Sequence, residues 1–109
     1  YRVVAPGVLK LGPYQGGHGC LVIPFDKGVC GAAARNRRTQ IVDDVHQFNG
    51  HIACAASTQS ELVIPVFDKN QNLVAVLDID SDQPAFFSRQ LATQLETLLA
   101  DLFSRGEEI

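Results

Sequence analysis

The segment Ser60-Glu61-Leu62-Val63-Ile64-Pro65-Val66-Phe67-Asp68-Lys69-Asn70-Gln71-Asn72-Leu73-Val74-Ala75-Val76-Leu77-Asp78-Ile79-Asp80 decides the fold class. Leu62 to Phe67 and Leu73 to Asp80 are apolar runs rich in β-branched residues, and Asp68 to Asn72 between them has turn composition. A β-hairpin follows, with both strands central in a sheet. In an antiparallel pair the entry of one strand lies beside the exit of the other, so Glu61 comes next to Asp78 and Asp80. The two aspartates are two residues apart and share one face of their strand. Acidic residues ending an apolar strand are most often solvated terminators. Three of them converging near a thiol would instead suit binding an ammonium group, or keeping one carboxyl protonated as a general acid.

Downstream, Ser88 can cap the first N–H groups of a helix in which Leu91, Leu95, Leu98 and Leu102 recur at steps of three and four. This predicts an amphipathic helix of about four turns. Upstream, Tyr1 to Val4 and Val8 to Leu11 read as a hairpin around Ala5-Pro6-Gly7, and Gly12 to Gly17 as a Gly-rich loop. Cys20 to Phe25 reads as a strand that Pro24 confines to an edge or to its last residues. Gly28-Val29-Cys30-Gly31 leads into Ala32-Ala33-Ala34-Arg35, a short helix ending near Asn36, and Gln40 to Val42 is a brief strand. Asp43 to Ser60 is the least regular stretch and has no sustained period. The order, hairpin, strand, short helix, strand, loop, hairpin, long helix, is α+β with an antiparallel sheet and flanking helices.

With 109 residues and 46% hydrophobic content, the chain has enough apolar material for one core. Charged residues make up 19% and the net charge is -3, so no basic field exists to attract nucleic acid or an anionic membrane. No apolar run approaches the roughly 18 residues of a membrane span, and no secretory pattern opens the chain. The expectation is a soluble, cytoplasmic protein acting on a small solute or a protein partner.

Three cysteines cannot all pair within one chain and are too few for a secreted disulfide scaffold, which favours chemistry or burial over stapling. A helix N-terminus lowers a thiol pKa, so local electrostatics points first at Cys30, against the alternative that it merely packs beside the alanines. Cys54 lies in the irregular stretch among small residues that admit close approach of a substrate. His46 and His51 nearby could supply charge or a proton, or be ordinary surface imidazoles. A zinc site built from His18, Cys20, Cys30, His46, His51 and Cys54 is the weaker reading, because none of the short ligand spacings of structural zinc sites occurs; no metal is expected. The glycines at 12, 16 and 17 form neither a dinucleotide fingerprint nor a Walker loop.

Together, Gly12-Pro13-Tyr14-Gln15-Gly16, Gly28-Val29-Cys30-Gly31, Asp44-Val45-His46, Gly50-His51-Ile52-Ala53-Cys54, Ser60-Glu61-Leu62-Val63-Ile64-Pro65 and Leu77-Asp78-Ile79-Asp80-Ser81 resemble, in content and order, the free methionine-R-sulfoxide reductases, a GAF-domain family. The resemblance covers most of the chain to Ser81. It implies a GAF-like fold and a thiol mechanism without metal or organic cofactor. A thiolate attacks the sulfoxide sulfur of free methionine-R-sulfoxide, a sulfenic acid forms, a second thiol condenses with it to a disulfide, and a thioredoxin-type reductant restores both thiols. By similarity Cys54 matches the attacking cysteine, Cys20 the resolving one, and Cys30 a third site cysteine. Glu61, Asp78 and Asp80 match acids that hold the substrate amino group and assist proton transfer. Family members carry a further N-terminal segment with a helix and a Trp before the strand that begins here at Tyr1, and this chain has no Trp. Residues 1–109 are therefore expected to be the C-terminal part of a single GAF domain whose N-terminal part is missing, partnered by that segment or by a second copy. The alternative is a non-catalytic GAF sensor that binds a small ligand or reports thiol oxidation. A third is a structural dimerisation domain with inert cysteines.

Overall fold

The computed structural model describes residues 1–16, 19–50 and 57–103. In chain order the elements are β1 (Arg2–Ala5), β2 (Val8–Lys10), β3 (Val22–Pro24), α1 (Gly28–Asn36), β4 (Gln40–Val42), a 3-10 turn (Val45–Gln47), β5 (Ser60–Phe67), β6 (Leu73–Ser81) and α2 (Arg89–Phe103). Among the described residues the strands form one six-stranded sheet in the order β3-β2-β1-β6-β5-β4, with every neighbouring pair antiparallel. The α+β class, the central hairpin and the edge position of the Pro24 strand are as the sequence predicts. No helix among the described residues is long and apolar enough to cross a membrane.

A helix covers each face of the sheet, so β5 is buried from Ser60 to Val66 and reads as a continuous apolar run. The strand's period of two divides its residues. Leu62 and Ile64 join Phe87, Ala92, Leu77 and Ile79 under α2, while Val63 joins Val76, Val29, Cys30, Ala33 and Ala34 under α1. Burying a side chain the size of Leu62 or Ile64 contributes roughly 1.5–3 kcal/mol, so the two cores hold the sandwich shut. The same alternation puts Glu61 with Val63, and Asp78 and Asp80 with Val76, on the α1 face. Pro65 is tolerated in a central strand because β4 pairs only with Glu61 to Val63, so the ladder on that side ends before the residue that lacks an N–H.

The hairpin turn is locked by Asp68, whose Oδ1 accepts from the backbone N–H of Asn70 at 2.8 Å and of Asn72 at 2.9 Å. The Arg37 guanidinium, just past the end of α1, stacks over Phe67 at 4.6 Å from the ring centre and donates to the Gln71 carbonyl at 2.6 Å. The C-terminal end of α1 is thereby tied to the tip of the central hairpin.

The stripe expected on α2 is only half right. Ser88 caps the helix, its Oγ accepting from the Leu91 N–H at 3.0 Å, and Leu91 and Leu95 pack on the sheet. Leu98 and Leu102, however, are 52% and 39% exposed, and Ala92 and Leu99 take the inward positions instead. The helix meets the sheet along a stripe rotated from the leucine row toward Ala92 and Leu99, which lie about 80–100° around the helix from Leu91.

Small residues let α1 lie close to the sheet: Gly31, Ala32, Ala33 and Ala34 are all buried. A Cβ on Gly31 would stand 2.7 Å from the Phe25 carbonyl oxygen and 2.9 Å from that of Pro24, both backbone atoms that cannot swing away. Gly31→Ala is therefore expected to push α1 off the end of β3 and to lower unfolding free energy by about 1–3 kcal/mol in urea titration. Unchanged stability would show that the close approach is not required.

Candidate active site

Across the hairpin Glu61 pairs directly with Asp80 and Val63 with Asp78, so the register alone sets the three carboxylates side by side. The α1 face then closes over them. Cys30 lies in the first turn of α1, and the Cys30, Glu61 and Asp78 ligand atoms all fall within 4.8 Å of one another. Glu61 is 6% exposed and Cys30 3%, whereas Asp78 is half-buried and Asp80 sits at the open rim. Glu61 hydrogen-bonds to Asp78 and Asp80, and the Cys30 thiol to Asp78. The three acids thus converge as the register predicts, with the Cys30 thiol beside them; the Cys54 loop lies outside the described residues.

The expectation about the Cys30 thiol is reversed. The helix begins where the sequence places it, but the thiol pKa is pushed far up, first by burial and then by the Asp78 and Glu61 carboxylates. The pull of a helix N-terminus amounts to less than a deep, acid-lined burial costs the thiolate, so Cys30 stays a neutral thiol that donates to Asp78. Cys20 is half-buried, packs against the α1-face core and is disulfide-bonded, while Cys30 is free. Cys54, His51 and His18 lie outside the described residues. His46 is exposed in the 3-10 turn, where its N–H binds the Asp44 carboxylate at 3.0 Å, and it does not join the cluster. Among the described residues the group able to ligate a cation is Cys30, Glu61 and Asp78; His18, His51 and Cys54 of the set weighed from the sequence lie outside them.

Tyr1 is legible in the sequence only as the start of a strand. Its backbone is fixed to β6 by paired hydrogen bonds, Tyr1 N to the Val76 carbonyl at 3.1 Å and Val76 N to the Tyr1 carbonyl at 2.9 Å. Its phenol donates to the Cys20 carbonyl at 2.7 Å. Because this contact spans 19 residues and joins a strand to a loop, no local pattern announces it. β1 also pairs with β6 at Arg2 and Ala75, and a cavity of about 850 Å³ opens beside β6, lined by Tyr1, Leu11, Tyr14, Thr58, Asp78 and Asp80 among others. That is room for a small organic solute against an acidic wall.

The electrostatics follow from the packing. Burial, the hydrogen bond to Asp78 and the neighbouring carboxylates raise Glu61 from 4.5 to about 11. Burial and the Asp78 charge raise Asp80 from 3.8 to about 7. At neutral pH Glu61 therefore keeps its proton. One oxygen of the cluster, Oδ1 of Asp78, is buried with no hydrogen-bond partner among the described residues, a state that costs about 1–3 kcal/mol and more for a charged group. A donor from a bound ligand, an ammonium above all, would complete it. The linkage has a definite sign. Above pH 4.5 the unfolded chain releases the Glu61 proton and the folded one holds it up to about pH 11, so stability falls across that window. Glu61→Gln removes the ionisation and keeps a donor. It is expected to raise Tm at pH 8 by at least about 4 °C, the scale of 1 kcal/mol in a domain of this size, with the gain vanishing near pH 4. A lower Tm at pH 8 would contradict a protonated Glu61.

Residues 5–103 match the GAF domain family. The chain is 48% identical over 107 residues to the free methionine-R-sulfoxide reductase of Escherichia coli K12, covering 92% of this chain and 64% of that protein. It is 50% identical over 72 residues to the Saccharomyces cerevisiae protein of the same name, covering 66% of this chain and 40% of that one. The fold superposes with a TM-score of 0.89, at 38% identity, on the Neisseria meningitidis free methionine-R-sulfoxide reductase solved in complex with its substrate, covering 95% of this chain and 63% of that chain. The chain thus spans less than two thirds of the length of each of these relatives. From the extent of the match, the antiparallel sheet and the two flanking helices, the chain belongs to the GAF domain family, with free methionine-R-sulfoxide reductases among its relatives.

Proposed function

We propose that this chain carries the reactive site of a reductase for free methionine-R-sulfoxide. The observation that carries the proposal is the acidic, partly desolvated cluster of Glu61, Asp78 and Asp80, with Asp78 and Asp80 lining a cavity and one Asp78 oxygen buried without a partner among the described residues. Such a wall recognises the ammonium group of a free amino acid, which a peptide-bound residue lacks. The names of the Escherichia coli and Saccharomyces cerevisiae relatives support the substrate, as does the substrate complex of the Neisseria meningitidis protein.

In this reading Cys54 attacks the sulfoxide sulfur, oxygen passes to the cysteine, and methionine leaves with Cys54 as a sulfenic acid. The oxygen must be protonated as it departs. Glu61, which keeps its proton at neutral pH, supplies it, while Asp78 and Asp80 hold the ammonium. Cys20 then condenses with the sulfenic acid to give a disulfide and water, and a thioredoxin-type dithiol reduces the disulfide by exchange. That Cys20 is disulfide-bonded and Cys30 free supports Cys20 as the resolving partner. Cys30 serves as a neutral donor that orients Asp78. No metal or organic cofactor enters the cycle. A reducing compartment such as the cytoplasm suits a dithiol-driven cycle.

Methionine release with a thioredoxin system is expected to disappear in Cys54→Ser and to stop after one equivalent in Cys20→Ser. Glu61→Gln is expected to lower kcat by about 10²-fold or more, the usual contribution of a positioned acid. Full turnover in Cys54→Ser would remove that residue from the reaction. Stoichiometric binding without released methionine in the unaltered protein would make the site a sensor.

A further inference from the structure

The acids occupy the α1 face of the sheet. On the α2 face lies another cavity, of about 460 Å³, bounded by the end of α1, the tip of the β5–β6 hairpin and the side of α2. Ile64, Val66 and Leu99 give it an apolar floor, and Arg37, Arg38 and Arg89 stand around it. A chain of net charge -3 thus gathers three of its nine Lys and Arg residues at one cavity. The two carboxylates there are already engaged. Asp68 accepts from the backbone N–H groups of Asn70 and Asn72, while Glu96 accepts from the Thr39 hydroxyl at 2.5 Å and lies 3.6 Å from Arg89. Arg37 and Arg38, adjacent in the chain, face no carboxylate at ion-pair distance among the described residues.

Arg37 is fixed before any ligand arrives. It closes α1 in the left-handed region, at φ 55°, where a helix end ordinarily carries glycine, and Gln71 at the hairpin tip is left-handed too, at φ 66°. The two strained residues meet: the Arg37 guanidinium donates to the Gln71 carbonyl at 2.6 Å, and the Phe67 ring backs it at 4.6 Å from the ring centre. A guanidinium has further N–H groups to offer beyond that one bond. A donor already held in place loses little freedom when an anion binds.

From this geometry we propose that the cavity binds a small phosphate monoester with an apolar body. Two guanidinium groups without a counter-charge call for two negative charges, which a phosphate monoester carries above its second pKa of about 6. The volume exceeds what a bare phosphate fills, and the floor of Ile64, Val66 and Leu99 takes the organic part. Val66 and Leu99 also border the cavity beside β6, but none of the three arginines does, and Asp78 and Asp80 lie on the other face of the sheet. The site is therefore independent of the reaction proposed above.

The test is a titration of the chain with phenyl phosphate slightly above neutral pH, followed by backbone amide chemical shifts. Binding is expected with a Kd below about 1 mM, with shifts at Arg37, Arg38 and Gln71 and none at Asp78 or Asp80. Arg38→Gln, at an exposed side chain, should weaken binding at least about tenfold, the scale of one charge-assisted hydrogen bond. Glu96→Gln keeps an acceptor for Thr39 and removes the competing charge, so it should tighten binding about two- to fivefold. Inorganic phosphate should bind more weakly than the phenyl ester. No shifts with phenyl phosphate, shifts confined to the acidic cluster, or an affinity indifferent to both substitutions overturns the proposal. Equal affinity for inorganic phosphate overturns the apolar part of the ligand. No turnover enters the measurement, so its failure leaves the proposed reductase reading standing, and failure of that reading leaves this site standing.

Discussion

Glu61 is a carboxylic acid inside a sandwich of aliphatic side chains, opposite Asp80 and hydrogen-bonded to Asp78. An isolated charge at such a place is far too costly, and two further carboxylates at its side make ionisation costlier still. The fold accommodates it by leaving the proton on. Much of the rest of the architecture serves that arrangement. The β5–β6 register brings the acids together, and α1 seals one side with residues too small to crowd them. The thiol of Cys30 supplies a neutral hydrogen bond where a cation would otherwise be needed. The packing leaves the Asp78 Oδ1 without a partner among the described residues, and Asp78 and Asp80 line the cavity beside β6.

This gives the site a physical logic that suits its proposed chemistry. A cluster that holds its proton when empty and has an orphaned acceptor is destabilised relative to a neutral equivalent, and a ligand carrying an ammonium group relieves part of that cost. The acid that must protonate a departing oxygen is the same group whose burial keeps it protonated. Stability has therefore been given up at the place where chemistry is required, as is common for strained or desolvated reactive sites. The opposite face of the sheet, with Leu62, Ile64, Phe87 and Ala92 under α2, carries no such conflict and supplies an uninterrupted apolar core.

Much of this is written in local patterns. The β-branched runs on either side of Asp68 define the central hairpin, and a strand's period of two is enough to put Asp78 and Asp80 on one face. Pro24 marks an edge strand and Ser88 a helix start for equally local reasons. The failures share a cause. Cys30 looks activated because a helix N-terminus can be read from sequence, whereas the carboxylates that raise its pKa come from strands some thirty to fifty residues away. Leu98 and Leu102 fit the helical repeat yet stay exposed, because which stripe of an amphipathic helix meets a sheet depends on docking angle. The Tyr1 phenol, bound to Cys20, leaves no trace in spacing at all. Cys54 as the nucleophile rests on family resemblance, since nothing in its flanking residues distinguishes it from an unreactive thiol in a loop of small residues.

The central claim is that the acidic cluster selects a free amino acid and the thiols reduce its sulfoxide. The most direct measurement compares turnover, with a thioredoxin system, on three substrates: free methionine-R-sulfoxide, its S epimer and a peptide containing methionine-R-sulfoxide. The account predicts sustained methionine release from the free R epimer and little from the other two. Comparable rates on the peptide would contradict it, because a peptide-bound residue has no ammonium group for Asp78 and Asp80 to hold.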